Sequence, residues 1–141
     1  MRYRAAAPVR PRADLPLVDA DGVIRLRVPA SVDHRDLTLR VVAAACRFVG
    51  FSGPGIASRA APIAFEDEVT GACGAAFDRV LDGGNTHVEL EIEVGSDAIT
   101  VRLHDHGGGF DVRHIVQSSM DEVSYYRSDD VNVLSMTKKL R

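Results

Sequence analysis

The stretch Val88-Glu89-Leu90-Glu91-Ile92-Glu93-Val94-Gly95-Ser96-Asp97-Ala98-Ile99-Thr100-Val101-Arg102-Leu103 decides the fold. Val88, Leu90, Ile92 and Val94 alternate with glutamates, and Ile99, Val101 and Leu103 repeat the alternation after Gly95-Ser96-Asp97. Successive side chains of a strand point to opposite faces, so each run has one apolar face. Two such runs around a glycine turn predict an antiparallel hairpin with one buried side. The glutamates of its first strand are expected on a solvated face.

Upstream, Ile24, Leu26 and Val28 alternate with Arg25 and Arg27, a further half-buried strand that Pro29 ends. Ser31 and Asp33 are helix caps for a segment carrying Leu37, Val41, Ala44, Ala45 and Phe48 at helical spacing up to Gly50. Phe51 to Pro62 reads as a loop, with Gly53-Pro54-Gly55 and Ala60-Ala61-Pro62 inside it. A second helix is expected over about Phe65 to Leu81, with Phe65, Val69, Ala72, Cys73, Ala76, Val80 and Leu81 on one stripe. Asp82-Gly83-Gly84-Asn85 ends it and turns the chain. Downstream, Val112 to Met120 reads as a short helix. Val123 to Tyr126 and Val131 to Met136 read as a closing hairpin around Ser128-Asp129-Asp130. This order predicts an α+β fold: a two-layer sandwich with a mostly antiparallel, mixed sheet and helices on one face.

The chain has 141 residues, which suits one domain, here residues 22–141, behind a flexible N-terminal arm over 1–21. The arm carries four arginines among its first twelve residues and lacks the apolar stretch of a signal peptide. Hydrophobic residues at 45% and charged residues at 26% are ordinary globular values, which excludes wholesale disorder. A formal net charge of -3 argues against direct nucleic-acid binding, and the absence of Trp with 6% aromatics argues against base-stacking platforms. No apolar run reaches the ~18 residues of a membrane span. Cys46 and Cys73 lie inside apolar helical patterns and read as core thiols of a reducing cytoplasm.

Chemistry concentrates in His104-Asp105-His106-Gly107-Gly108-Gly109-Phe110-Asp111, a glycine-rich loop directly after a strand. Glycines there let backbone approach a ligand and expose N–H groups, and the Asp105 carboxylate can accept a hydrogen bond from an exocyclic amine. A plain strand-to-helix turn explains the same pattern. No Gly-Lys-Ser/Thr follows, so the loop is not a Walker A loop, and the order of elements is not that of a dinucleotide fold. No nucleophile-elbow motif occurs. His104 and His106 share a strand face and make half a metal site, with His114 the nearest third ligand; hydrogen-bonded or exposed histidines are the simpler reading, and no metal is assigned.

With these segments in place, the chain resembles the small anti-sigma-factor serine kinases of the GHKL (histidine kinase-like) ATPase superfamily. The resemblance runs through Ile24 to Ala30 with the helix ending Phe48-Val49-Gly50-Phe51-Ser52, through Val88 to Asp111, and through Met120-Asp121-Glu122-Val123 with Val133 to Leu140. It implies a glycine box at Asp105, Gly107 and Gly109 on the adenine side of an ATP site. It also implies a sigma factor or a STAS-type antagonist as partner, and a homodimer.

Against that pattern, the family's Glu and Asn on the second helix fall on Gly71 and Ala75. Neither can take a proton or ligate Mg²⁺. Moving the register by one turn brings Glu68 to the base position and Ala72 to the ligand position. Only Val112 to Ser119 is left where a lid and second glycine box belong. Losing these parts together removes several kcal/mol of transition-state stabilisation, at ~1.4 kcal/mol per tenfold in rate. The expectation is a non-catalytic regulator that acts by protein–protein binding and needs no cofactor. The alternative is an active ATP-binding serine/threonine kinase that phosphorylates a STAS-type antagonist. A structural subunit of another signalling complex is a third reading.

Overall fold

A computed structural model describes residues 22–49, 63–109 and 120–140. The arm over 1–21, Gly50, the loop to Pro62, Phe110, Asp111, His114 and the rest of 110–119 lie outside them. The elements are β1 (Val23–Pro29), α1 (Val32–Cys46), α2 (Ile63–Asp82), β2 (His87–Val94), β3 (Ala98–Asp105), β4 (Glu122–Ser128) and β5 (Val131–Lys139). The strands form one sheet in the order β1-β2-β3-β5-β4. The expected α+β class is found, with one correction: every described pairing is antiparallel, so the sheet is not mixed. The short helix expected to reach Met120 is corrected at its end, since Met120 belongs to no helix.

The hairpin organises the core. Leu90 lies opposite Leu103 and Ile92 opposite Val101. β1 adds Ile24, Leu26 and Val28 on one side, and β5 adds Leu134 and Met136 on the other. These apolar positions share the face that α1 and α2 cover, with Ile92, Ile99, Val101 and Met136 at 0% exposure. On the opposite face the glutamates of β2 meet arginines rather than bulk water alone. Arg25 Nε lies 3.3 Å from Glu91 Oε2, and Arg102 Nη1 lies 3.1 Å from Glu93 Oε1. Such exposed cross-strand pairs contribute ~0.2–1 kcal/mol each.

α1 begins at Ser31, whose hydroxyl accepts from His34 N at 3.3 Å. Its buried row keeps Ala45 from the expected one and otherwise differs. Thr38, Val42, Ala45, Cys46 and Val49 face the core, while Leu37, Ala44 and Phe48 are exposed. The two rows are offset by one residue, a rotation of about 100°. Thr38 can be buried because its hydroxyl donates to His34 O at 2.7 Å within the helix.

α2 has the expected stripe, with Phe77 added to it and Leu81 only half-buried. Its narrow centre lets α1 approach. A Cβ on Gly74 would lie 2.8 Å from Arg35 Nη2, and that guanidinium crosses to Asp78, with Nε 2.7 Å from Oδ1. Cys46 and Cys73 are free and buried beneath the helices. Burial, with Glu66 nearby, pushes the Cys46 thiol up to about 12, and burial pushes Cys73 up as well. Among the described residues, no helix is long and apolar enough to cross a membrane.

Candidate functional site

Asp105 ends β3 and is 3% exposed. Register builds its surroundings: Asp105 lies opposite Asn132 of β5, and Asn132 lies opposite Arg127 of β4. Asp105 Oδ1 accepts from Gly107 N at 2.9 Å, from Asn132 Nδ2 at 3.0 Å and from Asn85 Nδ2 at 3.5 Å. Asn132, 1% exposed, also donates to Gly107 O at 2.9 Å. Its own Oδ1 accepts from Arg127 Nη1 at 2.8 Å, and the same guanidinium nitrogen reaches Gly107 O at 3.1 Å.

The turn after α2 closes the other side. Asn85 Nδ2 donates to Val80 O at 2.9 Å, and Asn85 Oδ1 accepts from His106 N at 2.8 Å. Buried polar groups are costly unless satisfied, and here carboxylate, carboxamide and backbone satisfy one another.

Gly107 and Gly109 each answer to a local demand. A Cβ on Gly107 would lie 2.7 Å from Asn85 Nδ2 and 2.9 Å from Gly83 O. Gly109 has φ +86, which side chains rarely adopt, and a Cβ there would lie 3.2 Å from Tyr125 Oη. A Cβ on Gly108 meets nothing within 4 Å.

The other named residues stand apart from this corner. Gly71 and Ala75 are exposed on α2. Gly71 opens onto a groove of about 570 Å³ whose described walls come from α1 and α2 alone, among them Arg40, Asp67 and Thr70. Glu68, the base position in the shifted register, is held by Lys138 Nζ at 3.1 Å.

His104 lies on the outer face of the sheet, but β3 ends at Asp105, so His106 stands beyond the strand and the two do not share a strand face. His104 Nε2 is buried without a hydrogen bond, 3.6 Å from Glu91 Oε1. The His106 ring lies tilted against that of His87, with centroids 5.7 Å apart and planes at 49°, and His87 Nε2 sits 3.1 Å from Arg27 Nη2. Among the described residues, no three His, Cys, Asp or Glu side chains stand together as metal ligands.

Asn132, Arg127 and Asn85 carry the corner, and the sequence reading assigned none of them a role at the loop. One signal was present: an amide interrupts the apolar run Val131-Asn132-Val133-Leu134, where an inward position would otherwise be apolar. No protein-family model matches the chain, and no curated protein matches it.

Proposed function

We propose that this protein is a regulator related to the anti-sigma serine kinases that acts by binding another protein and does not transfer phosphate. The observation that carries the reading is the pair Gly71 and Ala75, exposed on α2 where the resemblance asks for a base and a metal ligand; neither side chain can act as a base or ligate a hard cation. Asp105 adds to it, since one of its two carboxylate oxygens, Oδ1, accepts from Gly107 N and Asn132 Nδ2, at 2.9 and 3.0 Å. The partner class follows from the resemblance: a sigma factor or a STAS-type antagonist, met in the cytoplasm.

Calorimetric titration with ATP and ADP, with and without Mg²⁺, tests the reading. The expected result is no heat and no thermal shift at millimolar nucleotide. Micromolar binding that strengthens with Mg²⁺ would overturn it in favour of the active kinase, and a phosphorylation assay on a STAS-type substrate would follow.

A further inference from the structure

The outer face of the sheet, opposite the one that α1 and α2 cover, carries an inference independent of the regulatory reading. A hollow of about 300 Å³ lies there over β1, β2 and β3, at the lower end of the ~300–1,000 Å³ range of small-molecule sites. Its floor is strand backbone at Leu26 and Leu90, whose side chains pack in the core. Its walls are Arg25, Arg27, Glu89, Glu91 and His104.

Two of these charges satisfy each other. Arg25 Nε lies 3.3 Å from Glu91 Oε2, and Arg102 Nη1 adds a longer contact of 3.9 Å to Glu91 Oε1. The neighbouring row is different. Register sets Arg27, Glu89 and His104 directly opposite one another on the three strands. Opposite charges so placed favour each other. Yet among the described residues Arg27 and Glu89 form no ion pair, with each other or with any other group. Arg27 turns instead to His87: Nη2 donates to His87 Nε2 at 3.1 Å, and His87 Nδ1 sits 3.1 Å from Thr86 Oγ1. An imidazole that accepts is neutral, so this bond fixes the guanidinium and leaves its charge uncompensated. His104 Nε2 is shut off from water with no hydrogen bond, 3.6 Å from Glu91 Oε1. A buried polar atom without a partner is costly, and this one belongs to the β3 wall of the hollow.

We propose that this hollow binds a small zwitterion of the α-amino-acid class, with the ligand carboxylate on Arg27 and its ammonium on Glu89. Charge balance selects that class. An anion would meet two carboxylates in the walls, and a cation would meet two guanidiniums. With Arg25 and Glu91 paired, one charge of each sign is left, on adjacent strands ~4.8 Å apart. The two charged groups of an α-amino acid stand a few ångströms apart, which meets that spacing. The remaining N–H donors of Arg27 suit a carboxylate, and the aliphatic stems of Arg25 and Arg27 offer apolar contact to the rest of the ligand.

Calorimetric titration of the full-length chain with each common L-α-amino acid, to millimolar concentration, tests the class. Binding of at least one is expected. The N-acetyl and the amide derivative of that amino acid each remove one charge. Each should bind about tenfold more weakly or worse, the loss expected on deleting one hydrogen bond between charged groups. Arg27→Gln and Glu89→Gln should each weaken binding of the parent amino acid by a similar factor. Both residues are exposed, so circular dichroism should show the variants folded.

Magnetic resonance of the histidine rings places the ligand. The imidazole signals of His87 and His104 should shift on titration, and that of His34, on α1 and outside the hollow, should not. Silence from every amino acid at millimolar concentration, derivatives that bind as well as the parent, binding indifferent to both substitutions, or shifts at His34 alone would each overturn the proposal.

Discussion

Replacing Asn132 with alanine tests whether the corner at Asp105 is an internal network. The carboxamide makes three hydrogen bonds: to Asp105 Oδ1 at 3.0 Å, to Gly107 O at 2.9 Å, and from Arg127 Nη1 at 2.8 Å. The first involves a carboxylate and the third a guanidinium, and bonds to charged groups are worth ~1.5–3 kcal/mol against ~0.5–1.5 for neutral ones. Asp105 keeps Gly107 N and the long contact to Asn85, and Arg127 is partly exposed, so water replaces part of the loss. A net cost of about 3–4 kcal/mol follows, toward the lower end of the summed bonds. For a chain of this size that lowers Tm by roughly 10–15 °C.

Urea unfolding followed by circular dichroism should show this as a lower midpoint at unchanged slope. The pair Asp105→Ala and Asn132→Ala should be non-additive by at least ~1 kcal/mol, because each removes the other's partner. A loss under ~1 kcal/mol for Asn132→Ala, or strict additivity, would refute the network and return Asp105 to a role at the surface of the loop.

Two further outcomes follow from the same structure. Gly107→Ala forces a methyl against Asn85 Nδ2 and Gly83 O and should cost ~2 kcal/mol or more, whereas Gly108→Ala, facing open space, should stay within ~0.5 kcal/mol; paired thermal melts check the contrast. Stability should fall in alkali. The Cys46 thiol is raised from 9.0 to about 12 and Cys73 is raised too, so the stabilisation is complete below pH 9, and it declines toward pH 12 as the unfolded chain releases protons the folded chain retains. Cys46→Ala with Cys73→Ala should flatten that decline relative to the parent, read from unfolding free energy across the range.

Period-two alternation made the sheet legible. Val88 to Val94, Ile99 to Leu103 and Ile24 to Val28 have only one way to bury an apolar face, because slipping the register by one residue would expose all of it. α1 was less legible for the opposite reason. Leu37, Val41, Ala44 and Phe48 make as good a helical stripe as Thr38, Val42, Ala45 and Val49. What separates the rows is the position of α1 at the end of the sheet, a tertiary fact, and a threonine that pairs with its own helix. The corner at Asp105 was half legible. Asp105, Gly107 and Gly109 stand out in the sequence, but Asn132 and Asn85, which reach Asp105, lie on β5 and in the turn after α2, and Arg127 of β4 reaches it only through Asn132; strand register and tertiary packing bring them there.

That register changes how much the glycine pattern can say. Asp105 is needed as the acceptor that satisfies Gly107 N and Asn132, Gly107 as the only residue that fits against Asn85 and Gly83, and Gly109 for its φ of +86. Each spaced position of Asp-x-Gly-x-Gly therefore has a reason internal to the fold, and none of those reasons involves a ligand. Gly108 is the exception, because neither its φ nor its surroundings require glycine. An extra glycine costs backbone entropy in the folded state. If the loop retains any ligand-facing function, its mark is at Gly108, the residue that falls between the spaced positions of the motif.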